Sequence, residues 1–196
     1  AGVYGFKLDK RNRSFMPTDG SVLSFNQVLP FYADKSYISN TFAYSGYNTF
    51  TENLVNATKF YASSINGIGS DDVRVSKRKF LSTKRLRGFK RGKVGPKDGN
   101  DHVGGNYAAA LNFEANLPNL LPDSSNTDVS FFVDFGNVWE VDYNDSLDSN
   151  KIRSSTGIAV NWFSAIGPLT FSYAIPLSDT DSDVTESFRF QIGTSF

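Results

Sequence analysis

The feature that most constrains this chain is an alternation of apolar and polar residues with a period of two, which recurs along most of its length. Successive side chains of a β-strand point to opposite faces of a sheet, so this alternation predicts strands with one apolar face. Helical periodicity is absent over any useful length, and no apolar run approaches the roughly 20 residues of a membrane-spanning helix. We therefore predict an all-β chain. The predicted strands are 3–9, 21–33, 37–50, 54–65, 107–115, 129–135, 158–162, 169–175 and 188–196.

The residues opposite the apolar face decide the class of β protein. A soluble sandwich would place long polar side chains there, whereas these positions carry Ala, Ser, Asn, Gly and isolated charges, which is typical of the crowded lumen of a membrane barrel. A mean hydropathy of −0.33 fits a barrel, because only every second strand residue must be apolar. The 18 Phe and nine Tyr fit it too. We expect Phe131, Val133, Phe171, Tyr173, Phe188 and Phe190 on the outer face.

The connections predict an outer-membrane barrel of which this chain is a part. Short turns near 16–20, 51–53 and 164–168 alternate with longer polar loops, and the longest loop runs from about 67 to 104. Short periplasmic turns and long extracellular loops are typical of such barrels. Single-chain bacterial barrels close with even strand numbers, so about eight or nine antiparallel strands mean either that one segment does not span the membrane or that the chain is part of a larger barrel. The chain opens directly into a strand, so we expect an excised or mature segment, a single region spanning 1–196.

Charge is concentrated in the longest loop, although the net charge is zero. Eleven of the 20 basic residues lie between Arg74 and Lys97 without an acid, and "KRLRGFKRGKVGPKDG" is the densest part. Nucleic-acid binding is not expected, because no helix or aromatic sheet accompanies this charge. "GFKRGK" is not a phosphate loop, because it has three residues between its glycines and Val94 where Ser or Thr should bind magnesium. Two alternatives remain: a solvated loop that meets anionic lipopolysaccharide, and a loop that folds inward.

Two carboxylates favour the inward alternative. The alternation places Glu114 and Asp134 on the lumen face, where an unpaired charge is costly. An arginine from the long loop is a suitable partner, because its planar guanidinium can hold carboxylates bidentately.

Two longer motifs resemble one family. The tip motif (V/I)RG(F/Y) of a long extracellular loop is matched by Leu86, Arg87, Gly88 and Phe89, and the strand motif F-x-D-x-G by Phe132, Asp134 and Gly136. The stretches "MPTDGS", "VGGN", "GPLTFSYAIPL" and "FRFQIGTSF" add to the likeness. The chain thus resembles the outer-membrane barrel assembly factors of the BamA family, whose relatives include TamA and the two-partner secretion transporters.

The resemblance implies a barrel of about 16 strands, of which this chain would supply the last nine or so. It implies that Arg87 reaches into the lumen and pairs with Asp134, with Glu114 as a second partner. Gly88 would supply an unusual backbone angle, and Phe89 an apolar contact. The last strand would form a lateral gate with the first strand of the barrel. Gly193 would weaken that strand, and the terminal Phe196 would act as an assembly signal.

The function implied is assembly and insertion of β-barrel proteins into the bacterial outer membrane, without covalent catalysis, cofactor or metal. Partners would be unfolded outer-membrane protein clients, assembly-machinery subunits reached through periplasmic repeats, and lipid and lipopolysaccharide, but not nucleic acid. The alternatives are TamA-like translocation, two-partner secretion and a passive pore. The single histidine, His102, is expected to be solvated rather than catalytic. The aspartates of 178–186 lack the Gly and Glu of a calcium loop, so a solvated loop or loose divalent-cation binding is expected there.

Overall fold

The computed structural model describes residues 2–30, 36–69, 72–122, 126–147 and 150–193. It is built around one antiparallel sheet of nine strands, which confirms the all-β prediction. These strands are β1 (Gly2–Asp9), β2 (Gly20–Leu29), β3 (Tyr37–Thr51), β4 (Leu54–Gly67), β8 (Tyr107–Leu117), β9 (Thr127–Trp139), β10 (Arg153–Ser164), β11 (Gly167–Ser178) and β13 (Phe188–Ile192). Four two-residue strands lie in the connections: β5 (Gly88–Phe89), β6 (Lys97–Asp98), β7 (Asp101–His102) and β12 (Thr185–Glu186).

Helical structure within the described ranges amounts to two three-residue 3-10 turns, Val75–Lys77 and Asp145–Leu147. No helix in these ranges has the length and apolar character needed to cross a membrane.

Each strand of the large sheet pairs with the next large strand along the chain, so the order is β1-β2-β3-β4-β8-β9-β10-β11-β13. Strands β1 and β13 are the two edges of this sheet in the described part of the chain. Two-residue turns join β3 to β4 and β10 to β11, as the sequence predicts. The connection from β1 to β2 spans 10–19, close to the 10–20 left between the predicted strands, and its Phe15 ring lies 5.5 Å from the Phe163 ring.

Strand β2 ends at Leu29, directly before Pro30, which has no amide hydrogen to donate to a sheet. The rest of the predicted strand, 31–33, lies outside the described residues, which omit 31–35.

The two faces of the sheet differ as the alternation predicts. In β9 the even-numbered side chains are buried, whereas Phe131 on the other face is 50% exposed. Tyr173, Phe188 and Phe190 are also exposed, and Phe190 stacks with Phe171 at 5.0 Å between ring centroids. Aromatic side chains therefore cover the outer face, and small or polar side chains cover the inner one.

The long connection between β4 and β8 packs against the inner face. Its side chains Leu81, Leu86, Phe89 and Val94 form one buried cluster with Ala108, Ala110 and Val138 of the sheet. The small side chains of β8 leave space for this cluster. Full burial of an aromatic side chain such as Phe89 stabilises the docked loop by about 1.5–3 kcal/mol.

Candidate functional site

The centre of the site is Arg87, which the long connection carries to the inner face of β9. Its Nε and Nη2 donate hydrogen bonds of 2.7 and 2.6 Å to the two carboxylate oxygens of Asp134. Its backbone N–H donates a third hydrogen bond of 3.0 Å to Asp134 Oδ2. The remaining nitrogen, Nη1, lies 2.8 Å from Glu114 Oε1. The guanidinium therefore binds both lumen carboxylates at once, and its planar shape matches this arrangement.

Two further side chains complete the polar network, and sequence reasoning missed both. Lys59 Nζ lies 2.6 Å from Glu114 Oε2, so Glu114 bridges Lys59 and Arg87. Asn112 Nδ2 donates 2.8 Å hydrogen bonds to Asp134 Oδ1 and to the Arg85 carbonyl. The available signal was their position on the inward face of β4 and β8, next to the two predicted carboxylates.

The network is balanced in charge and mostly buried. Two cations, Arg87 and Lys59, face two carboxylates, and the Asp134 side chain is 0% exposed. Burial alone would lower the pKa of the Arg87 guanidinium, but Glu114 and Asp134 raise it above its ordinary value. Arg87 therefore keeps its charge at every physiological pH, and the two acids stay compensated.

The three inward positions of the strand motif have distinct roles. The Phe132 ring lies under the Arg87 guanidinium, with 3.5 Å between Cζ and the ring centroid, a cation–π contact. Asp134 accepts the hydrogen bonds. Gly136 leaves space for the loop, because a Cβ there would lie 2.8 Å from Leu81 Cδ1. The loop thus packs on one face of β9, where it contacts the Phe132 ring and the Asp134 carboxylate and occupies the space left by Gly136.

Gly88 and Phe89 follow Arg87 at the tip of the connection, and they pack against β10, β11 and the apolar cluster. Gly88 has a φ of +87°, and a Cβ would lie 3.2 Å from Ala174 Cβ, so both conformation and space favour glycine. Ser155 Oγ donates a 2.5 Å hydrogen bond to the Arg87 carbonyl. Phe89 is buried in the apolar cluster. We call Arg87, Gly88 and Phe89 the latch tip.

Filling the gap at Gly136 is a direct test of loop docking. We expect Gly136→Val to destabilise the folded protein by about 1–3 kcal/mol, because the added methyl groups overlap Leu81. Urea unfolding, followed by the gel-mobility difference between folded and unfolded protein, measures this change. Ala115→Val, on the outer face of β8, is the matched control and should change stability little. Equal effects of the two substitutions would contradict this role of Gly136.

Three other bases of the long connection pack against the protein instead of lying in solvent. Arg78 is 6% exposed and lies 2.6 Å from Asp142 Oδ1. Arg85 stacks over the Tyr61 ring at 3.8 Å, and Lys79 Nζ donates to Ser39 Oγ at 2.6 Å. Aliphatic stems and planar guanidinium groups allow basic side chains to pack where a charge pattern alone suggests solvent. The exposed bases are Arg74, Lys77, Lys84, Lys90 and Arg91.

The aspartate-rich loop between β11 and β13 is also not simply solvated. The side chains of Asp183 and Arg153 are both 0% exposed, with 2.9 Å from Arg153 Nε to Asp183 Oδ2 and 3.1 Å from Nη2 to Oδ1. Burial alone would raise the pKa of the Asp183 carboxyl, but hydrogen bonds from Arg153 and the Thr180 amide hold it below its ordinary value. Sequence reasoning missed this pair. Within the described ranges, no group of side chains could hold a metal ion.

The remaining predicted residues lie elsewhere. His102 bonds through Nε2 to the Ser182 carbonyl at 2.9 Å and is partly buried, so it is not a solvated histidine. Gly193 has a φ of +99° directly after β13, and its N–H donates to the Pro168 carbonyl at 2.8 Å. Phe196 lies outside the described residues.

Comparison with known proteins places this geometry in a family. The model of the Omp85 superfamily domain matches residues 1–196. The outer membrane protein assembly factor BamA of Neisseria meningitidis serogroup B is 33% identical over 141 residues, 57% of this chain and 17% of its own. BamA of Neorickettsia risticii is 28% identical over 98% of this chain and 27% of its own. The human sorting and assembly machinery component 50 homolog is 25% identical over 96% of this chain and 44% of its own.

A solved structure extends the likeness to the backbone. The crystal structure of BamA from Haemophilus ducreyi lacking POTRA domains 1-3 superimposes with a TM-score of 0.87 at 30% identity, over 99% of this chain and 42% of that one. The chain spans roughly a quarter or less of the bacterial relatives it matches. Because the family model covers every residue and the fold follows that of a solved member, the chain belongs to the Omp85 superfamily.

Proposed function

We propose that this chain is the C-terminal part of a bacterial outer-membrane barrel of about 16 strands that assembles and inserts client β-barrel proteins. The names of the relatives support this proposal, because they are assembly factors. The chain covers only part of each of them, which supports a contribution of further strands from the same protein. In the outer membrane, the connection near 67–104 of such a barrel would lie outside the cell, and the short turns would face the periplasm.

The observation that carries the proposal is the docked latch tip. Arg87 is 9% exposed and binds both Asp134 and Glu114 inside the sheet. The same connection fills the inner face with Leu81, Leu86 and Phe89. A passive pore needs an open water-filled lumen, so a loop that packs into the lumen favours assembly over conduction.

The edge of the sheet at β13 offers a physical mechanism for client insertion. Strand β13 has only five residues, and among the described residues its one partner in the sheet is β11. In the intact barrel the other side of β13 would pair weakly with the first strand, and the N–H and C=O groups released when that pair opens can template an incoming strand. Client insertion then requires no bond chemistry and no cofactor, because strand exchange lowers the folding barrier. The loop stays in the lumen during this strand exchange, because it is held by the motif residues Phe132, Asp134 and Gly136.

The partners follow from the same arrangement. Unfolded outer-membrane proteins would pair with the edge, and other assembly subunits would bind periplasmic repeats of the intact protein. The exposed bases Lys90 and Arg91 would meet lipid headgroups and lipopolysaccharide. We propose no role for nucleic acid.

Reconstitution tests the function directly. Liposomes that contain the intact protein should accelerate the folding of a small client barrel into a protease-protected form, relative to liposomes without it. The same liposomes should carry no steady ionic current, because the loop fills the lumen. Steady conductance without faster client folding would establish the pore instead. Export of a large passenger without client folding would establish a transporter.

A further inference from the structure

The loop between β11 and β13 pairs with the latch tip. Its strand β12 pairs with β5, so that Thr185 faces Phe89 and Glu186 faces Gly88. The pairing continues past β12: the Lys90 N–H donates to the Val184 carbonyl at 2.8 Å. We call residues 179–187 the clasp.

A buried ion pair holds the clasp in place. Besides its two contacts with Asp183, Arg153 donates to Asn137 Oδ1 at 2.6 Å and to Thr180 Oγ1 at 3.2 Å. The Thr180 N–H donates to Asp183 Oδ2 at 2.9 Å. The guanidinium thus joins the end of β9 to both sides of the turn at Thr180–Asp183. Loss of either charge would leave the other one buried without its partner.

The clasp leads directly into the terminal strand. Only Ser187 separates β12 from β13, and the Ser187 carbonyl accepts a 2.8 Å hydrogen bond from the Ala174 N–H of β11. Arg189 of β13 forms an ion pair with Glu186 of β12. Glu186, which pairs with Gly88, therefore lies only one residue before Phe188, the first residue of β13, and no flexible spacer separates them.

We propose that Arg153 and Asp183 are positioning residues whose ion pair fixes the clasp, and that the clasp couples the latch tip to β13. Displacement of β13 from β11 then loosens the latch tip, and undocking of the latch tip frees the start of β13. This coupling is a property of the folded chain and goes beyond the insertion function. Its measurement requires no client protein, so its failure and a failure of insertion are separate results.

Hydrogen exchange in the intact protein, embedded in lipid nanodiscs, tests the coupling. In Asp183→Asn we expect amide exchange at 86–93 and at 188–192 to rise together, by at least about tenfold, because a buried charge loses its partner. Exchange in β3 and β4 should stay unchanged. Asp181→Asn is the matched control, because Asp181 is an exposed aspartate of the same loop. Faster exchange in the clasp without a change at the latch tip would overturn the proposal, and so would a uniform rise over the whole sheet.

A cysteine pair tests the same coupling without removing a buried charge. The chain has no cysteine, so Lys90→Cys with Val184→Cys allows one defined disulfide across the paired backbones. Oxidation should slow exchange at 86–93 and at 188–192 together, and reduction should reverse both changes. Slower exchange at the latch tip alone would show that β13 moves independently and would refute the coupling.

Discussion

Replacing Arg87 with alanine should abolish most client insertion or strongly destabilise the barrel, whereas neutralising Lys90, Arg91 and Lys93 together should leave both nearly unchanged. Removal of Arg87 leaves Asp134 buried without its cation, and the loss of one partner of a buried pair costs about 3–5 kcal/mol. The cation–π contact with Phe132 is lost as well. The three neighbouring bases are exposed or half-buried, so they contribute little beyond attraction to anionic surfaces.

Two measurements distinguish these variants in the intact protein: urea unfolding and the rate of client folding in liposomes. The triple variant should change mainly the salt dependence of binding to anionic vesicles. Arg87→Lys should retain only part of the stability and client-folding activity that Arg87→Ala loses. Lysine keeps the charge but cannot bind Asp134 and Glu114 with one planar group. If the triple variant were inactive and Arg87→Ala were active, the loop would be a surface patch and not a latch.

Reversing the charge at Asp134 should expel the loop from the sheet. The site now holds two cations, Arg87 and Lys59, and two carboxylates. Asp134→Arg would leave three cations and one carboxylate, a net charge of +2 in a mostly buried environment. Asp134→Asn should only weaken docking, because the amide can still accept hydrogen bonds but carries no charge.

Limited trypsin digestion of the folded, membrane-embedded protein measures this expulsion. New cleavage between Lys84 and Lys93 should be strong in Asp134→Arg, moderate in Asp134→Asn and absent in the parent protein. Asp98→Asn changes an exposed acid of the same connection and should leave the digestion pattern unchanged. Full protection of the loop in Asp134→Arg would show that the apolar cluster alone holds it, and the ion pair would lose its assigned role.

The strands were predictable because their signal is local. A period of two identifies a strand and its apolar face from neighbouring residues, and turn residues mark its ends. For this reason all nine strands and the outward aromatic side chains appear where the alternation places them. At Pro30 the apolar pattern continues, but β2 ends at Leu29, because the proline nitrogen cannot donate to the ladder.

The partners of the buried charges were predictable only in part. Glu114 and Asp134 could be placed in the lumen by strand parity, and the need to compensate them pointed to an arginine of the basic loop. The choice of Arg87 among eleven bases depended on motif resemblance, because charge does not distinguish it from Arg85 or Arg91. Arg85 lies over Tyr61, and Arg91 stays in solvent.

Local sequence patterns were therefore enough to predict the strands, the two faces of the sheet and the carboxylates that require a partner. The pairing of the charges depends on the folded chain: Lys59 meets Glu114 across 55 residues, Arg78 meets Asp142 across 64 and Arg153 meets Asp183 across 30. The physical reason is that strand alternation is a short-range steric property of the backbone, whereas these pairs depend on sheet register and on the path of the long loop. The pairing of the clasp with the latch tip has the same origin, because two short loop segments far apart in the chain become neighbours only in the folded protein.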